Sequence, residues 1–528
     1  MRRFAVLLIA LLCALPLAGQ AEQVLRIGNG PEPETLDPQR SVNIPENQIL
    51  QSLFEGLLTV DAAGRPVPGA AESWTVSEDG LTWRFVLRAD GKWSDGRPVT
   101  AEDFVYGWRR AVDPATRPLF ADLLYPVVNA AEIARGELPP DTLGVRADGP
   151  LVFEVRLVRP KPNFSDYLYH RATFPLQRAS LEKAGAQFTR PGNLVGNGPY
   201  VLAEQVPQSH VGLVRNPHYH AAAEVKIDRV LYLVSDGGDA ELTRFRAGEL
   251  DITMGVPSKQ VDWVKKNLPA ALHEAPIARV HFLAPNLTRE PWKSSRALRL
   301  ALSMALDREL LSGRVLKDGA PLYSFVPPGL PDYRPAEPEW AHWTQAKRDA
   351  EAKRLFAEAG YGPGNPLTLE LLVIAAQGEE QRAAVALAAL WQQKLGVRST
   401  ITAIENKVFS GKVRERAYSD LALRYWQWLF PERFLEILRS EDERNGNGYH
   451  NAEFDAAMAE ADRAVTREQF AAALNRAEAL AMADAAVIPL SLFTARHLVA
   501  PRVRGWQDNL RDAHLVRYLS LAGRSGGP

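Results

Sequence analysis

Apolar and polar residues alternate in several short stretches of the chain, and this period of two predicts strands with one buried face. One stretch covers residues 81–87 and another covers residues 151–157. Their apolar positions are Leu81, Trp83, Phe85, Leu87, Leu151, Phe153, Val155 and Leu157. Both stretches lie in the first third of the chain, which therefore predicts hairpin-like, antiparallel pairing.

A helical period appears between about Gly378 and Leu395, where Leu387, Leu390 and Trp391 fall on one stripe with Leu395. Apolar runs flank this helix at residues 367–374 and 397–404. Strand, helix and strand with short links predict a βαβ unit, in which the two strands are parallel. The chain is therefore predicted to have a mixed α/β fold.

The N-terminus has the layout of an export signal. Arg2 and Arg3 precede an apolar stretch from Phe4 to Leu17, which suits a signal core and is shorter than the about 20 residues that span a bilayer. Small residues at Gly19 and Ala21 predict cleavage after Ala21. An uncleaved membrane anchor is the alternative.

Cysteine content and net charge limit the possible chemistry. The one cysteine, Cys13, lies inside the apolar stretch and follows Leu12, where a lipoprotein signal would require a small residue. The mature chain is therefore predicted to carry no lipid, no disulfide and no cysteine metal site. Lysine and arginine number 62 against 63 acidic residues, so no overall field favours nucleic acid or anionic lipid. Small molecules or proteins remain as partners.

Motifs of catalysis or cofactor binding are absent from the sequence. It contains no G-x-S-x-G elbow, H-E-x-x-H helix, phosphate loop or EF-hand loop. His218 and His220 lack helical ligand spacing and are interpreted as solvated loop residues. Trp83, Trp93 and Trp108 are interpreted as core residues rather than ligand contacts. The sequence therefore predicts no enzyme, no metal and no cofactor.

Nine short runs occur in order from one end of the chain to the other. They are Leu36–Pro38, Leu53–Leu57 (LFEGL), Pro68-Gly69, Ala71–Trp74 (AESW), Lys92–Phe104 (KWSDGRPVTAEDF), Asn197–Tyr200 (NGPY), Phe245–Asp251 (FRAGELD), Ala301–Arg308 (ALSMALDR) and Ala357–Tyr361 (AEAGY). With these runs the sequence resembles the periplasmic oligopeptide-binding protein family, the large solute-binding proteins of peptide ABC transporters. Several runs are turn and helix-cap signals, such as Thr100 before Glu102 and Asp103, so they report fold first.

The resemblance implies a two-lobed periplasmic-binding-protein (Venus-flytrap) fold with an additional inserted α/β subdomain. Lobe I would comprise residues 22–54, 180–278 and 495–528. The inserted subdomain would comprise residues 55–179, and lobe II residues 279–494. Such a clamp closes around its ligand by a population shift.

The resemblance also implies a function and a ligand-binding site. The protein would act in the periplasm, as a monomer, and deliver oligopeptides to the permease subunits of an inner-membrane ABC transporter. The ligand would lie extended and pair through its main chain like an added strand. The residues implied are Val42, Asn43, Ile44, Phe120, Phe282, Arg414, Tyr425, Trp426, Gln427, Trp428, Glu432 and Phe493. For Phe120 and Phe493 plain packing is the alternative, and for Arg414 a surface ion pair.

The sequence departs from the family pattern after Trp426. Leu429 stands where relatives supply an aspartate for the α-ammonium group of the peptide, and a buried ammonium without a counter-charge would cost several kcal/mol. Glu432 is the nearest replacement, with a solvated helix-start glutamate after Pro431 as the alternative. Arg279 and Gln427 stand at two positions where some relatives pair cysteines.

Other functions stay open at this stage. The same fold could bind a modified peptide, a peptidoglycan fragment or a non-peptide solute, since the usual aspartate is missing. An exported hydrolase would turn its ligand over, and a chaperone-like module would bind unfolded proteins without a size limit.

Overall fold

The computed structural model describes residues 22–317, 319–375 and 379–522. The predicted signal peptide and its cleavage site after Ala21 lie outside the described residues, as does Cys13. No helix in these three ranges is both long and apolar enough to cross a membrane.

The strands and helices alternate irregularly along the chain. The strands are β1 (Val24–Gly28), β2 (Leu58–Val60), β3 (Pro66–Pro68), β4 (Ala71–Val76), β5 (Thr82–Leu87), β6 (Val145–Ala147), β7 (Val152–Arg156), β8 (Tyr200–Val206), β9 (His210–Arg215), β10 (Arg229–Leu233), β11 (Leu272–Pro285), β12 (Ala320–Pro321), β13 (Thr368–Ile374), β14 (Arg398–Ile404), β15 (Leu421–Gln427), β16 (Ile488–Leu498), β17 (Val503–Arg504) and β18 (Ser520–Leu521). The helices are α1 (Ile44–Leu53), α2 (Ala101–Val112), α3 (Ala130–Ala134), α4 (Arg178–Ala184), α5 (Gly238–Arg246), α6 (Val261–Asn267), α7 (Arg296–Met304), α8 (Arg308–Leu310), α9 (Gln345–Glu358), α10 (Glu379–Leu395), α11 (Asn406–Arg414), α12 (Pro431–Leu435), α13 (Ala452–Ala461) and α14 (Arg467–Ala483).

Three larger sheets organise the described chain. Lobe I contains a four-stranded sheet in the order β1-β10-β9-β8, with β1 parallel to β10. The inserted subdomain contains an antiparallel sheet in the order β4-β5-β7-β6. Lobe II contains a six-stranded mixed sheet in the order β12-β16-β11-β15-β13-β14. This architecture confirms the two-lobed α/β fold; the predicted domain limits stay a prediction.

Local predictions from the sequence agree with the structure. Strands β5 and β7 cover the two alternating stretches and pair with each other. The predicted βαβ unit is β13, α10 and β14, whose strands pair in parallel from Thr368 opposite Arg398 to Ile374 opposite Ile404; Gly378, the predicted start of the helix, lies outside the described residues. Helix α2 begins after Thr100, whose main-chain N–H donates to Asp103 Oδ2 at 2.8 Å. This contact forms part of a capping box.

The lobes are joined by a long antiparallel ladder of β11 and β16. One end of the ladder pairs Leu272 with Leu498, and the other pairs Leu283 with Ile488. The register shifts between Pro276 and Val280, beside both predicted crossings between lobes. At the lobe I end, the main-chain N–H of Leu498 donates to Thr253 Oγ1 at 2.9 Å. A ladder that is irregular in its middle links the lobes by two adjacent chain segments.

Two large apolar cores lie on either side of this ladder. One fills lobe II, and the other is shared by lobe I and the inserted subdomain. Trp83, Trp93 and Trp108 are 4%, 1% and 0% exposed, which confirms that they are core residues. The shared core makes the inserted subdomain and lobe I one packed body, because packed interiors resist relative motion.

A buried carboxylate fastens the inserted subdomain to lobe I. Glu55 accepts hydrogen bonds from Tyr219 Oη at 2.6 Å, His220 Nε2 at 2.8 Å and Arg517 Nη1 at 2.5 Å. The side chain of Asn197 bonds both main-chain groups of Glu55. His220 is therefore paired with a carboxylate instead of being solvated. Four segments distant in sequence meet at this residue.

We expect Glu55→Gln to lower the free energy of unfolding at neutral pH by about 3 kcal/mol, because Arg517 would stay buried without a carboxylate. Burial by itself would raise the pKa of Glu55, but the His220 hydrogen bond and the Arg517 charge hold it below 4.5. The stabilisation is therefore present above the unfolded-state pKa and is lost as pH falls through the lower folded-state pKa. Urea denaturation at neutral pH and at successively lower pH measures both effects.

The control is Glu72→Gln on the exposed face of β4, which should change the free energy of unfolding by less than about 0.5 kcal/mol. A deficit of the Glu55 variant that stayed constant with falling pH would contradict the assignment.

Candidate ligand-binding site

A cavity of about 590 Å³ opens between lobe I, the inserted subdomain and lobe II, and we call it the interlobe cleft. Its volume lies within the range of about 300–1,000 Å³ that is usual for small-molecule sites. The lining includes the start of α1, residues of the loop 252–258, Ile277 and Arg279 of β11, residues 427–430 at the end of β15 and residues of 493–516, with Phe120 and residues 169–171 from the inserted subdomain. Every part of the fold therefore contributes to one site.

The lobe I wall begins with the segment before α1. The side chains of Val42 and Ile44 are each 55% exposed and line the cleft. The main-chain N–H groups of Val42 and Asn43 donate to Glu46 Oε2 at 2.8 and 3.0 Å. These two amides are therefore engaged within lobe I, and this segment offers the ligand apolar side chains rather than those strand-like donors.

The lobe II wall presents an open strand edge. Strand β13 pairs with β15 only at Leu421 and Ala422, so among the described residues no strand covers the edge from Leu423 to Gln427. On the other side β15 pairs with β11, and the N–H of Trp428 donates to Ala278 O at 3.3 Å. Along an antiparallel strand, residues whose main-chain groups bond the neighbouring strand alternate with residues whose groups point away from it. Since Trp428 bonds to β11, the N–H and C=O of Gln427 point away from β11, towards the open edge. Gln427 also lines the cleft.

Arg171 joins the inserted subdomain to the segment before α1. Its guanidinium donates twice to Ser41 O, at 3.3 and 3.1 Å, and once to Asn47 Oδ1 at 3.0 Å. It also lies 4.8 Å from the centre of the Phe120 ring. Burial lowers the pKa of Arg171 to about 10, so the side chain remains charged at neutral pH.

A histidine–aspartate cluster lies at the base of the cleft. Asp512 Oδ1 lies 2.8 Å from His497 Nε2 and 3.1 Å from His514 Nε2. Burial by itself would lower the pKa of His497, but the Asp512 charge and hydrogen bond raise it. Burial would likewise raise the pKa of Asp512, but His497 holds it well below its usual range.

The same cluster has the composition of a metal-ligand set. His497, Asp512 and His514 each offer one ligand atom, and these atoms lie within 4.8 Å of one another. A histidine must be neutral to bind a metal, whereas the raised pKa of His497 favours its protonated form. In the observed geometry both histidines are within hydrogen-bonding distance of Asp512 Oδ1.

The structure brings six of the twelve predicted site residues into the cleft lining: Val42, Ile44, Phe120, Gln427, Trp428 and Phe493. Their contacts with a ligand stay a prediction. The other six lie outside this lining: Asn43, Phe282, Arg414, Tyr425, Trp426 and Glu432.

Four of these six have packing or exposure that explains their position. Phe282 is fully buried and packs edge-on against Phe325, with ring centres 4.9 Å apart, so it is a core residue and not a pocket residue. Arg414 is exposed at the end of α11. Trp426 donates its indole N–H to Arg433 O at 2.8 Å. Tyr425 is 40% exposed and stacks beside Arg279 instead.

Glu432 lines a second cavity of about 640 Å³ between the inserted subdomain and lobe II. Its Oε1 accepts hydrogen bonds from Lys161 Nζ at 3.0 Å, Asn163 Nδ2 at 2.7 Å and Tyr167 Oη at 2.5 Å. Burial by itself would raise the pKa of Glu432, but the Lys161 charge and these bonds hold it low. The carboxylate already has a cation, so the structure disfavours the hypothesis that it replaces the missing aspartate.

Sequence reasoning missed most of the charged residues in the cleft. Arg171, His497, Arg511, Asp512 and His514 line it but match no motif, and Arg279 entered only as a position without cysteine. The density of ionisable residues in 511–514 is the one local signal. It could not be assigned to a site, because the partner His497 lies in a different strand.

The fold and the cleft define a class of protein, the two-lobed solute receptors that enclose a ligand between hinged lobes. The chain belongs to the bacterial extracellular solute-binding proteins, family 5. The model of the middle part of this family matches residues 65–445.

The chain is similar along its length to characterised relatives. It is 36% identical over 510 residues to the periplasmic oligopeptide-binding protein OppA of Escherichia coli, covering 94% of this chain and 93% of that one. The unliganded open form of the periplasmic murein tripeptide binding protein MppA superposes with a TM-score of 0.86, at 34% identity over 95% and 98% of the two chains. Haemophilus influenzae OppA in complex with the peptide RPPGFSPFR superposes with a TM-score of 0.75. The two chains are 32% identical, and the match covers 95% of this chain and 99% of that one.

We expect Glu432→Gln to lower the free energy of unfolding by about 3 kcal/mol, because it leaves the partly buried Lys161 without a carboxylate between two subdomains. Glu443→Gln is the matched control, since Glu443 lines the same cavity and is exposed. Urea denaturation of the three proteins measures the difference. A tenfold loss of ligand affinity with unchanged stability would instead favour the role of Glu432 as an ammonium anchor.

Proposed function

We propose that this protein is a periplasmic uptake receptor that captures oligopeptides in extended form between its lobes and delivers them to an inner-membrane ABC transporter. The observation that carries this proposal is the open main-chain edge of β15 beside the interlobe cleft. An extended ligand that adds to this edge is held through its main chain, so different side chains are accepted. Family membership and the peptide-binding relatives support the same function.

The arrangement of the lobes supports an open, ligand-receptive state. The TM-score is higher with the unliganded open form of a relative than with a peptide complex of another relative. Closure would then be a population shift, driven by contacts that a ligand makes with both walls. We propose that the protein acts as a monomer, is exported by the signal at residues 1–21 and carries no lipid.

A modified peptide, a peptidoglycan fragment or a non-peptide solute is the second candidate ligand. The observation that favours it is the position of Leu429 in the cleft lining, where the family resemblance expects an ammonium-binding aspartate. The nearest acid, Glu432, lines the second cavity and pairs with Lys161 there. A ligand without a free α-amine would need no such acid.

Mass spectrometry of the compounds released by mild denaturation tests the ligand class. We expect intact peptides of about two to five residues, since a cleft of this volume takes a short ligand. Recovery of cleaved products that accumulate with time would indicate a hydrolase, and binding of unfolded proteins without a size limit would indicate a chaperone-like module. Either result would contradict the proposal.

The variant Gln427→Pro tests strand-like pairing. Proline removes the N–H that faces the open edge, and an edge strand tolerates it at such a position. We expect peptide affinity to fall about tenfold, or about 1.4 kcal/mol, the upper range for one hydrogen bond. The control Gln427→Ala keeps the N–H and should bind within about twofold by isothermal titration calorimetry. Equal affinities of both variants, with unchanged melting curves, would exclude pairing at this residue.

A further inference from the structure

We propose that the interlobe cleft selects anionic ligands, namely peptides or peptide-like compounds with at least two carboxylates, through the positive charges of Arg171, Arg279 and Arg511. This inference rests on the proposed function and specifies its ligand class. It is carried by the charges of the cleft lining.

The cleft has an excess of cations. The described residues that line it include four arginines, Arg171, Arg279, Arg496 and Arg511, and one carboxylate, Asp512. Arg496 is already paired, because its Nε lies 2.7 Å from Glu274 Oε1. Three arginines remain to be balanced, and in the described part of the chain none of them has a carboxylate within ion-pair distance.

The guanidinium of Arg279 lies beside two aromatic rings. It lies 4.2 Å from the centre of the Tyr425 ring and 4.6 Å from that of Phe493. Its Nε is buried and has no hydrogen-bond partner among the described residues. The guanidinium thus has ring contacts and an Nε donor without a partner in the described residues, an arrangement that suits a carboxylate.

Arg511 shows the same features on the other side of the cleft. It lies 4.4 Å from the centre of the Tyr169 ring, and its Nε donates to Gly64 O at 2.5 Å. Its Nη1 is buried without a hydrogen-bond partner in the described residues. Arg171 adds a third fixed charge beside Phe120. Unpaired buried cations are costly, so an anionic ligand that pairs with them gains affinity.

The single acid does not offset these charges. Asp512 Oδ1 lies 2.8 Å from His497 Nε2 and 3.1 Å from His514 Nε2, so this carboxylate already has two hydrogen-bond partners. Leu429, at the other wall, supplies no charge. In the described lining a ligand ammonium therefore meets one carboxylate, which already binds two histidines, whereas ligand carboxylates meet three arginines.

The test is calorimetric titration of the ligand-stripped, full-length mature protein with matched tripeptides. In one set, each residue of Ala-Ala-Ala is replaced in turn with glutamate. In the other set, the same positions are replaced with glutamine, which has the shape of glutamate without its charge. We expect at least one glutamate peptide to bind tenfold or more tighter than its glutamine partner. N-acetylation of that peptide should change its affinity by less than threefold, because no acid holds the amine.

One further titration distinguishes the two possible sources of the ligand. A tripeptide joined through the γ-carboxyl of glutamate keeps the charge and changes the main chain. Preference for the α-linked form indicates acidic peptides from proteins, and preference for the γ-linked form indicates cell-wall-like peptides. Both results support anion selectivity.

The variants Arg279→Gln and Arg511→Gln should each reduce the glutamate-to-glutamine preference at least fivefold. Arg398 is exposed on β14, so the control variant Arg398→Gln should leave the glutamate-to-glutamine preference unchanged. Thermal melting checks the fold, and Arg279→Lys, which keeps the charge, should retain part of the preference if Arg279→Gln does not fold. Equal affinity for glutamate and glutamine peptides would overturn anion selectivity but leave the receptor function intact. Absence of binding by every peptide would overturn both.

Discussion

The antiparallel ladder of β11 and β16 is the constraint on which the site depends. It runs from the lobe I contact between Leu498 and Thr253 to the centre of the lobe II sheet. Through β11 it also fixes β15, whose last residue, Gln427, lines the cleft. Because ladder hydrogen bonds set the register of every residue, one pairing determines which side chains of both lobes face each other. Of the ladder's two register shifts, the one between Pro276 and Val280 lies beside the predicted crossings between the lobes.

Charged side chains in the interior of this molecule have two different roles. At Glu55 and at Glu432, carboxylates pair with a cation and accept further hydrogen bonds, and each joins segments of separate subdomains. Such groups fix relative orientation, because removing one partner leaves the other buried and uncompensated. In the interlobe cleft the balance is reversed, since Arg279 and Arg511 are supported by rings and lack acids in the described structure. Compensated charge is thus placed at structural joints, and uncompensated charge at the site.

The two cavities illustrate why position along the chain is a poor guide to role. Leu429 and Glu432 are three residues apart, yet they line different cavities. The turn at Phe430 and the start of α12 separate them, and Phe430 itself stacks on Tyr167 of the inserted subdomain at 4.1 Å. The segment after Trp428 therefore places Glu432 at the joint between subdomains and Leu429 in the cleft.

The sequence by itself determined the α/β class, the βαβ unit of β13, α10 and β14, the capped start of α2 and the core role of Trp83, Trp93 and Trp108. These features follow from periodicity, capping and burial, which are local and which short segments encode. Through ordered motifs it also indicated the family. Six of the twelve site residues that the resemblance implied line the cleft. Only the tertiary structure decided that Phe282 is core, that Glu432 binds Lys161, and that Arg279, Arg511 and Asp512 meet in one cleft. The reason is physical: the pairing and burial of a charge depend on segments hundreds of residues apart, and no local pattern records which of them will be neighbours.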